Sequence, residues 1–156
     1  PGVADDPLGF TFIDDKQRLA RDLLEVRFMI EPQIARMAAE HATNDQVVCI
    51  KELCDESERL AEAGEDYSAA DTAFHNAIAE SSGNLVVPRL MGVLKASVPL
   101  FIDVTGKKLV EETIRTHRDV ADAIASRNPT AAHDAMYLHL VYNRNMIAEG
   151  AQEQSE

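Results

Sequence analysis

Asp71 and His75 are the residues of this chain whose types and spacing most invite chemistry. They are four apart in Asp71-Thr72-Ala73-Phe74-His75, so on a helix they project from one side. Phe74, Ala77 and Ile78 flank them, which turns that side inward. A carboxylate and an imidazole buried together need a shared partner. Three readings compete. Asp71 closes a capping box with Ser68 at a helix start. The two residues form a simple ion pair. Or both bind a divalent ion, one through oxygen and one through nitrogen.

Two more histidines bear on the choice. His117 sits between Ile114 and Ala121 at apolar spacing, and His139 sits between Met136 and Tyr142 or Asn143. Singly, each reads as a core or surface residue. Together, separate helices each place an imidazole on an inward face, and bundle cores assemble metal sites from facing helices. Asp71, His75, His117 and His139 would offer one oxygen and three nitrogens, leaving room on an ion for water or a carboxylate. His41 falls at a helix end and His133 lies beside Asp134 in a first turn; both read as solvated. Such a ligand set could hold a zinc-bound hydroxide. Yet no general base is evident beside it, and HExxH, GxSxG and a Gly-rich phosphate loop are all absent. The chain therefore reads as non-enzymic, the alternative being a metal-dependent enzyme acting on a small carboxylate. Arg27, among Leu23, Leu24 and Ile30, suits a bidentate grip on a carboxylate. The competing reading, which the sequence alone favours, puts Arg27 on the polar side, paired with Glu31 one turn away.

Helices must carry these residues. The first is predicted from about Lys16 to His41, with a stripe of Leu19, Leu23, Val26, Ile30, Ile34, Met37 and Ala38 and a kink at Pro32. Thr43 and Gln46 make a capping box for a second helix to about Ala63. A third covers Ser68 to Glu80, a fourth Leu85 to Val104 with Pro88 in its first turn, and a fifth Leu109 to Ser126. Asn128-Pro129 starts a sixth that reaches about Glu149. No alternating strand of useful length competes. The predicted class is all-α, an antiparallel bundle of six or seven helices over residues 16–150, after a loose acidic lead at 1–15.

Composition agrees. The 156 residues suffice for one domain; 46% are apolar, 5% aromatic and none is Trp, which suits close-packed helices. The formal charge of -12 makes the chain itself a poor partner for nucleic acid or anionic membrane. Cys49 and Cys54, five apart, share no helical face, which argues against a disulfide. No apolar run is long enough to span a membrane, and a cytoplasmic location is expected. The chain opens at Pro1 without Met and is expected to be part of a longer protein.

The stretches LLEVRFMIEPQIARMAAEHAT at 23–43, DTAFHNAIAESSGN at 71–84, THRDVADAI at 116–124 and AAHDAMYLHL at 131–140 occur in one order. In that combination the chain, over residues 16–148, resembles the ligand-binding and oligomerisation (FCD) domain of GntR-superfamily transcriptional regulators of the FadR-like subgroup. The resemblance implies a six- or seven-helix bundle holding a divalent ion on one aspartate and three histidines, matching Asp71, His75, His117 and His139. Mixed nitrogen and oxygen ligation suits zinc or nickel first, with iron, cobalt or manganese as further candidates. The resemblance implies Arg27 as a pocket arginine and Asn84 as a pocket or helix-start residue. The complete quartet departs from the branch that binds fatty acyl-CoA, so the implied effector is a small organic acid, a sugar acid or hydroxy-acid. The resemblance also implies a homodimer. It implies operator DNA as a partner only through an N-terminal winged helix-turn-helix domain, of which this sequence shows none.

Overall fold

The computed structural model describes Asp6, residues 8–94 and residues 110–153, with side chains in the last helix described to residue 148. A short 3-10 turn, Phe10–Phe12, precedes helices α1 (Lys16–His41), α2 (Asn44–Glu62), α3 (Ser68–Glu80), α4 (Val87–Leu94), α5 (Val110–Ala125) and α6 (Pro129–Glu153). No strand occurs among the described residues. The predicted end of the fourth helix lies outside them. Part of the expected loose lead is organised: Asp6 accepts from the Phe10 and Thr11 amides and from the Thr11 hydroxyl.

Helix boundaries follow their caps. Asp15 accepts from the Arg18 amide to start α1. Thr43 and Gln46 exchange both bonds of a capping box at the head of α2. Asn128 accepts from the Ala131 amide at the head of α6. At α3, however, Asp66 takes the Ser68 amide and hydroxyl at 3.0 and 2.7 Å, so Asp71 is not needed for a cap. Gly64 and Gly83 end α2 and α3 with φ near 70°, the left-handed conformation glycine adopts without strain. α1 runs on through Pro32 without a break.

The buried residues of α1 are Leu19, Ala20, Leu23, Leu24, Arg27, Glu31, Pro32, Ile34, Ala35, Ala38 and Ala39. This corrects the predicted stripe: Val26 is exposed and Ile30 and Met37 are partly exposed, while Arg27 and Glu31 take the inward positions. α1 packs along α6, and α5 packs on α6. α2 packs on α3 and α5 rather than back along α1. The core between them joins Leu24, Ala35, Ile50, Phe74, Ile78, Val120, Ile124, Met136 and Leu140. Alanines at positions 20, 35, 38, 79 and 132 are fully covered and let the helices approach closely. Outside the core, Arg118 of α5 bridges to Asp55 and Glu58 of α2.

One end of the bundle is fastened by its turns. Arg127, in the α5–α6 turn, donates to the Ala42 carbonyl and, at 3.2 Å, to Asn44 Oδ1. A Cβ added at Gly83 would stand 3.3 Å from Cβ of His41. Cys49 is exposed and Cys54 buried, and both are free thiols.

Candidate metal centre

α3 contributes Asp71 and His75, α5 contributes His117, and α6 contributes His139. All four are buried, and one nitrogen of each imidazole lies within 4.8 Å of one on each of the others. Ring centroids stand 5.3 Å apart for His75 and His117, 5.4 Å for His75 and His139, and 4.7 Å for His117 and His139. The carboxylate of Asp71 faces two of them. Its Oδ1 is 3.2 Å from His117 Nε2, and its Oδ2 is 3.9 Å from His75 Nε2. The Nε2 atoms of His75 and His117 are buried with no hydrogen-bond partner. Unpaired buried nitrogens are costly in a native core. Ligand atoms each about 2.1 Å from an ion stand roughly 3 to 4 Å apart; the Asp71 contacts with His117 and His75, at 3.2 and 3.9 Å, fall in that range, while the mutually close group within 4.8 Å is the three imidazoles.

The electrostatics favour the same use. Burial holds His117 down to about 3, with the Arg27 charge adding to the effect. Burial also holds His75 and His139 well below the ordinary imidazole value, reinforced by Arg27 and neighbouring imidazoles. At neutral pH all three rings are therefore uncharged, each keeping one lone pair. Burial pushes Asp71 up to about 7, against the pull of Arg27 and with the push of Glu31. A nearby cation would favour its ionised form.

Arg27 faces this cluster from α1, but not alone. Its Nε and Nη2 donate to the two oxygens of Glu31 at 2.9 and 3.1 Å, and both side chains are buried. The sequence offered an inward clamp or an outward ion pair; the structure has an inward ion pair. Glu31 Oε2 also lies 3.5 Å from His75 Nδ1. Asn84 is exposed, and its Oδ1 accepts from the Val86 and Val87 amides at the start of α4. His41 is exposed, and His133, partly buried, meets Asp134 at 2.9 Å.

The sequence pairs Glu31 with Arg27 but on the polar side, and it does not single out Thr116. The inward place of Glu31 was legible: it is a heptad step from Leu24 and from Ala38, both in the buried stripe. Thr116 is fully buried on α5, and its hydroxyl lies 3.0 Å from His139 Nδ1. Only the fold brings those two residues together.

The FCD domain family model matches residues 22–142, a span that contains every residue of the cluster. The chain belongs to the FCD domain family. The galactonate operon transcriptional repressor of Escherichia coli (strain K12) is 29% identical over 139 residues, which is 87% of this chain and 61% of the repressor. The HTH-type transcriptional regulator LutR of Bacillus subtilis (strain 168) is 30% identical over 143 residues, 85% of this chain and 64% of LutR. A solved structure of Streptococcus agalactiae GntR superposes with a TM-score of 0.80 at 36% identity, covering 92% of this chain and 66% of that one. This FCD domain is thus of the kind found in GntR-family transcriptional regulators, and it spans less than two thirds of the length of each of these relatives. Among the described residues, no helix is long and apolar enough to cross a membrane.

Proposed function

We propose that this FCD domain is the ligand sensor of a bacterial transcriptional regulator, with a divalent ion held by Asp71, His75, His117 and His139 and a small organic acid as effector. The observation that carries the reading is the pair of buried Nε2 atoms without a hydrogen bond, on His75 and His117, facing the carboxylate of Asp71. Three neutral imidazoles and a carboxylate suit zinc or nickel, then iron, cobalt or manganese. Such an ion supplies a Lewis-acidic charge to which an effector carboxylate can bind.

Charge balance supports an acidic effector. Among the described residues Arg27 offsets Glu31, and Asp71 balances half the charge of a divalent ion. One further carboxylate completes the balance where an unmatched charge is costly. Arg27 is the proposed second contact of that carboxylate, in competition with Glu31, while Asn84 serves to start α4. One relative is named for the operon of galactonate, a sugar acid, which supports sugar acids or hydroxy-acids as the class. The effector would bias how α1, α3, α5 and α6 pack and so alter DNA binding by the parent protein, in the cytoplasm and as a homodimer, without turnover. Glu31, the further carboxylate at the site, is engaged by Arg27, which favours sensing over general-base chemistry.

Elemental analysis and calorimetry test this together. The purified chain should carry about one divalent ion, and His117→Ala should lose most of it. The metal-loaded chain should bind one or more members of a panel of sugar acids and hydroxy-acids, and the metal-free chain should not. Full metal content in the His117 variant, or tight binding of an acyl thioester by metal-free protein with no response to small acids, would refute the reading.

A further inference from the structure

Thr116 lies one residue before His117, yet it serves a different helix. Its hydroxyl is 2.7 Å from the Glu112 carbonyl one turn back and 3.0 Å from Nδ1 of His139 on α6. A hydroxyl has one proton to give. The 2.7 Å contact has the length of an O–H···O bond, and donation to the i−4 carbonyl is the habit of a threonine inside a helix. The 3.0 Å contact has the length of an N–H···O bond. The two contacts are satisfied at once only when Thr116 donates to Glu112 and accepts from Nδ1–H of His139. That leaves Nε2 of His139 without a proton and with its lone pair available.

Glu31 lies on the corresponding side of His75 at a longer, ion-pair distance. Its carboxylate, fixed by the two bonds from Arg27, is acceptor-only and faces Nδ1 of His75 at 3.5 Å. A proton on that nitrogen is drawn toward the carboxylate, and the buried Nε2 opposite keeps its lone pair.

We infer that Thr116, and with it Glu31, are positioning residues that set the tautomers of His139 and His75, so that both rings present Nε2 to the ion. The inference rests on the metal reading above. Neither residue touches the ion. Each acts through the far nitrogen of a ring, fixing its orientation and raising its basicity.

The test begins with the metal-free chain, 15N-labelled at histidine. Long-range ¹H–¹⁵N spectra report which ring nitrogen carries the proton, whether or not metal binds. His139 should be the Nδ1–H tautomer in the wild type and should lose that preference in Thr116→Val. Zinc affinity by chelator competition should fall about 10- to 100-fold in Thr116→Val and return to near the wild-type value in Thr116→Ser. Cobalt substituted for zinc should show a shifted visible spectrum in the valine variant alone. An Nε2–H tautomer at His139 in the wild type overturns the inference, and that measurement stands even if the valine variant does not fold. So does zinc binding by Thr116→Val as tight as that of the wild type. A wild-type chain that takes up no divalent ion overturns the metal reading instead, and the two failures are thereby told apart.

Discussion

Replacing Arg27 with Met would remove one partner of a buried, bidentate ion pair and leave the other in place. The pair is made of contacts at 2.9 and 3.1 Å between side chains only 2% and 3% exposed. Exposed i,i+4 pairs such as Arg36 with Glu40 contribute about 0.3–0.5 kcal/mol. A buried pair behaves differently, because its remaining charge has no water to return to. Breaking one from a single side typically costs about 3–5 kcal/mol. In a domain of this size that lowers Tm by roughly 6 to 20 °C. Removing both charges, as in Arg27→Met with Glu31→Leu, leaves no orphan and should recover most of the loss. Urea unfolding of the metal-free chain gives all four corners of the double-mutant cycle. The expected coupling is several times that of an exposed pair. The reasoning is refuted if Arg27→Met costs less than about 1 kcal/mol, as for a solvated pair, or if the double variant is no better than the single one.

Acid should destabilise the metal-free domain. His75, His117 and His139 are held below the ordinary 6.5, so each takes up a proton on unfolding once the pH is below that value. Asp71, raised from 3.8 to about 7, opposes this by releasing a proton on unfolding within that interval. The three uptakes outweigh the one release, so urea midpoints should fall as pH drops from 6.5 towards 4; a flat or rising profile contradicts the burial described. Gly83→Ala places a side chain at φ 74° and against His41, and should cost at least about 1–2 kcal/mol in the same assay. The domain should sediment as a dimer at micromolar concentration, and a monomer throughout that range would count against the proposed assembly.

Much of this fold is legible in the chain because its signals are local. Thr43 with Gln46, and Asn128 before Pro129, state their helix starts within four residues, and the structure has those starts. Asp71 shows the limit of such signals. Its spacing from Ser68 satisfies a capping box, yet Asp66 is nearer in the turn and takes the bonds, freeing Asp71 for the interior. The α1 stripe went astray for another reason. Val26 fits the apolar spacing but faces solvent and Ile30 reaches the core only in part, whereas register puts Arg27 and Glu31 inside. A charge can occupy a core position when its partner is one turn away, and hydrophobicity patterns do not see that pairing. His75, His117 and His139 were readable as three inward faces, but their convergence depends on how α3, α5 and α6 pack. The Thr116 contact with His139 spans 23 residues and carries no sequence signature.

The fastening of one end of the bundle has a mechanical consequence. α1 has 26 residues, and so a length of about 39 Å. Its far end, at His41 and Ala42, is gripped by Arg127 from one turn and crowded by Gly83 from another. Were α1 to pivot about that end, displacement would grow with distance along the helix. One degree of tilt moves Arg27 by about 0.4 Å and Lys16 by about 0.7 Å, given the rise per residue. The helix thus has a gain of a little under two between the charged pair at its middle and the point where the chain enters the bundle. A shift of about 0.4 Å at Arg27 would then be one of about 0.7 Å at Lys16, where the chain enters the helix.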